Sequence, residues 1–163
     1  MPKLGLRILK SALAVFLCFV VYLFRKDGMP FYSAIAAILC MQQSVRHSFA
    51  AALNRTIGTL IGGVYGLLIL LVLRIEAVAA HPLLVYAIIS AAVIPLMYLT
   101  VLVKKTAATY ITTVVFLSVV VSHGLDTVPY LFALNRVIDT LIGIFISLLI
   151  NVLVFPQKTP PAE

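Results

Sequence analysis

Of the 163 residues, 63% are hydrophobic and 10% are charged, against about 45–50% and about 25% in soluble globular domains. An apolar surplus of this size cannot be hidden inside one small core, which excludes a water-soluble enzyme. At about 20 residues per bilayer crossing, the chain has room for six spans and none for a soluble catalytic domain of ordinary size. Twelve Lys and Arg against five Asp and Glu give a formal charge of +7; in a membrane protein that excess first reports which loops face the cytoplasm, not nucleic acid.

The first apolar segment, Ile8 to Phe24, follows the basic start MPKLGLRILK. No small-residue cleavage site follows Leu23, so a retained first span is expected in place of a cleaved signal peptide. The break RKDGMP leads to a second segment, Phe31 to Val45, and QQSVRHS to a third, Phe49 to Leu73. RIEAVAAHP then opens a fourth, Leu83 to Val103; KKT a fifth, Ala107 to Val121; and SHGLDTVP a sixth, Tyr130 to Phe155. The breaks hold Gly, Pro and charge, which stop helices. The second and fifth segments are under crossing length and call for tilting, breaking, or completion by buried polar residues. Pro95 should kink the fourth near Ala91.

Cys18 and Cys40 lie in apolar runs and act as small hydrophobes, with no disulfide expected. His47, His81 and His123 stand alone at segment ends without metal-ligand spacing, so neither metal nor cofactor is expected. Basic residues set the orientation. With the N-terminus inside, the cytoplasmic side holds Lys3, Arg7, Lys10, Arg46, Lys104, Lys105 and Lys158, and the far side Arg25, Lys26 and Arg74. This imbalance places both termini in the cytoplasm of a plasma-membrane protein.

ALNRTIGTLIG at Ala52 to Gly62 recurs as ALNRVIDTLIG at Ala133 to Gly143, nine of eleven positions identical at an offset of 81. Weaker echoes, Ser11 with Ser90 and Arg25-Lys26 with Lys104-Lys105, stand at an offset of 79. Each unit holds three spans. An odd number forces the second unit to enter from the opposite face, giving an inverted repeat. The expected fold is therefore an all-α integral membrane domain over 1–155, with six transmembrane helices as two inverted three-helix repeats (1–81 and 82–155) and a disordered tail at 156–163.

Arg55 and Arg136 lie six residues inside the third and sixth spans, roughly 9 Å in from opposite faces. An intramembrane charge costs about 2.5–3.5 kcal/mol on insertion scales, so it faces the interior, pairs, lines a wet path, or snorkels to its own headgroups. Asn135, Asp139, Gly143, Ser147 and Asn151 form a polar and small row on the sixth span, with Arg136 and Thr140 beside it. The third span has Asn54, Gly58, Gly62 and Gly66, flanked by Arg55 and Thr59. The two rows are expected to face each other or a partner, their glycines serving close packing. Asp139 replaces the repeat's Gly58 and reads either as an intrahelical ion pair with Arg136 or as a carboxylate that takes up and releases a proton. Gln42, Gln43 and Ser44, with Thr106, Thr109, Thr112 and Thr113, line a vestibule or, for the threonines, bond back to their own helix carbonyls.

The stretches GLRILKSALAVFLC and PFYSAIAAILCMQQSVRHSFAAALNRTIGTLIGGVYG resemble the aromatic acid exporter and fusaric acid resistance protein-like superfamily. Its features are a basic first helix, a Pro-aromatic start to the second, a Met-Gln end, and an Arg-x-x-Gly-Thr third helix. The resemblance covers most of Gly5 to Phe155 and implies export of small organic anions such as aromatic carboxylates, with plant malate channels as distant relatives. Arg55 and Thr59 match the third-helix motif and Arg136 its repeat copy. Relatives often carry a large cytosolic domain or a second six-span half; this chain has neither, so a homodimer restoring twelve spans is the expected unit.

The reading is an exporter, not an enzyme, in the lipid bilayer. Arg55 and Arg136 attract the carboxylate, Asn54, Asn135, Thr59 and Thr140 offer hydrogen bonds, and Asp139 is the candidate coupling acid. A passive anion channel built from the same residues and a non-transporting membrane subunit stand as alternatives.

Overall fold

The structure, a computed structural model, describes residues 5–122 and 129–153. His123, Asp126, Lys3, Lys158 and the tail 156–163 lie outside the described residues. Among those described there is no strand. The helices are α1 (Leu6–Phe24), α2 (Pro30–Cys40), α3 (Val45–Leu73), α4 (Glu76–Ala79), α5 (Pro82–Leu102), α6 (Thr109–Ser122) and α7 (Pro129–Leu153), with a 3-10 turn at Thr106–Ala108 before α6. Four helices, α1, α3, α5 and α7, are long and apolar enough to cross a membrane by length and composition. At 11 and 14 residues, α2 and α6 run about 16 and about 21 Å, short of the ~30 Å hydrocarbon core. Large side chains coat the outside, among them Phe16 at 62%, Leu83 at 83% and Ile94 at 73% exposed, as for a surface solvated by lipid.

Local chemistry explains several ends. α3 begins four residues before the expected Phe49 because Ser44 caps it: its Oγ accepts the His47 N–H at 3.2 Å. α5 closes in a Schellman motif, Lys104 N–H bonding Val101 O and Lys105 N–H bonding Thr100 O, each at 2.9 Å. Lys104 therefore sits at φ +55, a left-handed conformation that costs a side-chain-bearing residue about 1–2 kcal/mol. Lys104→Gly should raise stability by about 1 kcal/mol, read as a higher unfolding midpoint in detergent. Pro95 lies inside α5, and one turn before it the Ala92 carbonyl accepts the Tyr65 hydroxyl at 3.1 Å. A neighbouring helix thus supplies a donor next to the Ala91 carbonyl, which proline leaves without its helix N–H.

The described residues form two compact units, one from residues up to Leu53 and from Ile138 on, the other from Asn54–Val137. They do not coincide with the sequence repeats. The first combines α1, α2 and the start of α3 with the second half of α7; the second combines α5, α6 and most of α3 with the first half of α7. The first is packed around Ala14, Cys18, Ala37, Met41, Ile146 and Ile150, with a second cluster of Ala36, Cys40, Ala52 and Ile144. The second is packed around Leu70, Ile89, Leu96, Phe116 and Val119. Cys18 and Cys40 are buried and not joined in a disulfide.

Candidate functional site

Glycines of both small-residue rows lie against short helices. In the first unit, a Cβ on Gly143 of α7 would collide with the Ser33 carbonyl of α2 and stand 2.7 Å from the Ala36 Cβ. In the second, a Cβ on Gly62 of α3 would collide with the Thr112 carbonyl of α6 and stand 3.1 Å from the Val115 Cβ. Ser33 and Ala36 precede Thr112 and Val115 by 79 residues, the offset of the weaker echoes, and Gly62 precedes Gly143 by 81. Each long helix therefore packs its glycine on the short helix of the other repeat through matching residues. Rows of small residues are legible in sequence; what they touch is not, because small-xxx-small spacing fits any close helix neighbour.

Asp139 breaks this match. It is 1% exposed, and its carboxylate accepts the Tyr22 hydroxyl and, at 2.8 Å, the Met29 N–H that precedes α2. Its ion pair is with Arg25, Nη1 lying 3.4 Å from Oδ1, and the Arg25 guanidinium also stands 5.8 Å from the Tyr22 ring centroid. The sequence spacing offered Arg136 as the partner on the same helix; Tyr22, Arg25 and Met29 come from the end of α1 and the turn after it, which only folding brings there. That turn needs Gly28, whose φ is +87 and whose absent Cβ leaves room for the Asp139 carboxylate. At the matching place in the second unit, Gly58 comes so close to the 3-10 turn before α6 that a Cβ would lie 3.1 Å from the Ala108 carbonyl.

A second polar node lies twelve residues further along α7. Lys10, 4% exposed, donates from Nζ to Asn151 Oδ1 at 3.1 Å. Asn151 Nδ2 donates to Ser48 Oγ at 2.7 Å and to the Gln42 carbonyl at 3.3 Å, and the Gln42 N–H donates to Ser48 Oγ at 3.0 Å. Arg7, one turn before Lys10, donates from Nε to the Met41 carbonyl at 2.9 Å. Sequence reading counted Lys10 as an interfacial loop charge, since nothing in an N-terminal basic run signals burial.

Arg55 and Arg136 both belong to the second unit and are buried, at 6% and 4% exposed. Thr59, Thr140 and Asp139 are buried as well, and Asn54 and Asn135 are half-buried. Thr59 Oγ1 has no hydrogen-bond partner among the described residues. An apolar groove of about 330 Å³ opens in the same unit between Leu60, Gly63, Val64 and Leu67 of α3 and Tyr130, Ala133, Leu134 and Val137 of α7. Neither arginine lines it. Of the candidate vestibule threonines, Thr112 Oγ1 donates to Ala108 O at 2.8 Å and Thr113 Oγ1 to Thr109 O at 3.1 Å, bonds to the preceding turn, whereas the Thr109 hydroxyl pairs with that of Thr100 on α5 at 2.6 Å. Among the described residues no group of three or more His, Cys, Asp or Glu comes together as a metal site would need.

No curated protein and no solved structure shows significant similarity to the chain. The family model for aromatic acid exporter family member 1, by contrast, matches residues 2–154, almost the whole sequence. With four helices of membrane-spanning length and an apolar outer surface, this is a membrane protein, and the chain belongs to the aromatic acid exporter family.

Proposed function

We propose that this protein is a six-span plasma-membrane carrier, built from two inverted three-helix repeats, that exports small aromatic carboxylate anions. The observation that carries the reading is the duplicated arginine. Arg55 and Arg136 occupy equivalent places in the two repeats and both are buried, and a charge inside an apolar helix is costly to place there. A carboxylate matches the planar fork of a guanidinium in geometry and in charge. Asn54, Asn135, Thr59 and Thr140 stand beside them as hydrogen-bond donors to the same anion, Thr59 with its hydroxyl still to be satisfied. The inverted arrangement is supported by the matched seams, Gly143 on Ser33 and Ala36, Gly62 on Thr112 and Val115. In it the short helices α2 and α6 complete two further spans, both termini face the cytoplasm, and a homodimer is the working unit.

The test is efflux from liposomes containing purified protein and loaded with benzoate. Saturable, protein-dependent efflux supports a carrier. Non-saturating flux that follows imposed voltage assigns the same residues to a channel, and no flux at all leaves only a membrane subunit. Asp139, held between Tyr22 and Arg25, is the coupling candidate. An Asn at this position keeps the shape, with its Oδ1 accepting the Met29 N–H and its Nδ2 donating to the Tyr22 hydroxyl oxygen, but cannot exchange a proton. Asp139→Asn should therefore flatten the pH profile of efflux, and an unchanged profile removes proton coupling at this residue.

A further inference from the structure

We infer that the apolar groove between α3 and α7 receives the aromatic ring of the transported anion; the inference rests on the carrier reading. The groove lies within the second unit, which also holds Arg55 and Arg136. Among its lining residues only Tyr130 carries a polar side-chain atom, so its walls suit a ring and not an ion. Its volume of about 330 Å³ stands at the small end of the roughly 300–1,000 Å³ of ligand pockets, room for a one-ring acid. The polar groups proposed for the carboxylate occupy neighbouring positions: Thr59 directly precedes Leu60, and Arg136 directly precedes Val137. Thr59 is 1% exposed, and its Oγ1 has no hydrogen-bond partner among the described residues. It lies one turn before Gly63, about 6 Å along the helix axis, within the span of a benzoate whose ring rests at Gly63. An acyl chain could fill the same groove but brings no acceptor for that hydroxyl.

The repeat shows how the space arises. Gly63 corresponds to Ile144, and Ala133 to Ala52, at the offset of 81. In the first unit Ile144 and Ala52 belong to one packed cluster with Ala36 and Cys40. In the second unit glycine stands in place of that isoleucine, and among the described residues a Cβ there would meet nothing within 4 Å. Gly58, Gly62 and Gly66 of the same helix each press on α6 or the turn before it, so close packing accounts for them. Packing does not account for Gly63, and a glycine inside a helix is less stable than alanine. The absent side chain leaves the groove open beside Ala133, and its exposed edges, Leu60, Val64 and Leu134, give a ring a way in and out.

Filling the groove and labelling it test the assignment. Gly63→Ile restores the side chain of the other unit, and Gly63→Ala adds a single methyl; both should unfold in detergent at or near the parent's temperature. Gly63→Ile should weaken benzoate binding to the solubilised protein at least tenfold and raise the benzoate concentration for half-maximal efflux to match, with a smaller change in Gly63→Ala. In the parent, photoactivated azidobenzoate should attach to Leu60, Val64 or Leu134, and excess benzoate should prevent it. If the parent binds benzoate and both variants bind and move it equally well, or if the label attaches only outside the groove, the ring site is refuted while the carrier reading stands. A Gly63→Ile protein that binds benzoate normally but changes in oligomeric size or in retained phospholipid gives the groove to a second copy or to an acyl chain, which refutes the ring site too. If the parent neither binds nor moves benzoate, the carrier reading fails first.

Discussion

Arg55→Ala and Arg136→Ala should each lower carboxylate efflux at least tenfold, and the double variant should leave no flux above protein-free liposomes. The magnitude follows from chemistry. A hydrogen bond to a charged group contributes about 1.5–3 kcal/mol, or roughly ten- to hundredfold in an equilibrium or rate that depends on it. The arginines are buried, so their attraction for an anion is screened less than at a surface. Lysine at either position keeps the charge but loses the planar fork, and Arg55→Lys should recover only part of the flux. Expression and unfolding temperature decide between roles. A flux loss in protein that unfolds like the parent assigns the arginines to the anion, whereas wild-type flux in both alanine variants makes them structural.

Gly143→Ala and Gly62→Ala should each destabilise the protein by about 2 kcal/mol or more, while Gly63→Ala should be neutral or stabilise it by up to about 1 kcal/mol. The first two glycines face backbone: the new methyl would strike the Ser33 carbonyl at Gly143 and the Thr112 carbonyl at Gly62. Backbone within a helix cannot step aside as a flexible side chain can, so α2 or α6 must move off its neighbour. A Cβ on Gly63 would meet nothing within 4 Å, and alanine is the better helix former. Gly62 and Gly63 are adjacent in sequence, so the contrast between them tests which face of α3 is packed. Equal effects at all three positions would contradict the packing described.

The long helices and the repeat were legible because apolar length and self-similarity are properties of the sequence itself. Breaks were legible to within a few residues; α4, a single turn inside RIEAVAAHP, and the early start of α3 depended on local bonds such as the Ser44 cap. The partners of Asp139 and the burial of Lys10 were not legible. Each is made by residues more than 100 positions apart, and hydrophobic periodicity carries no information about which helices become neighbours. The two rows are features of the sequence, but the short helices against which their glycines pack emerged only from the close contacts at Gly62 and Gly143. Arg55 and Arg136 stood out from the start because charge inside an apolar run is costly wherever the helix goes.

A carrier of this design requires the two arginines to border a water-filled anion path. Thr59 and Thr140 lie one turn beyond Arg55 and Arg136 on their helices, so cysteines at these positions report on that path while leaving both guanidiniums in place. With Cys18 and Cys40 replaced by alanine, Thr59→Cys and Thr140→Cys are treated in liposomes with a membrane-impermeant thiol reagent, with and without benzoate. Both cysteines should react, and benzoate should slow both reactions at least tenfold. Cysteines that stay inert in folded protein, or that react at the same rate whether or not benzoate is present, would contradict this carrier design.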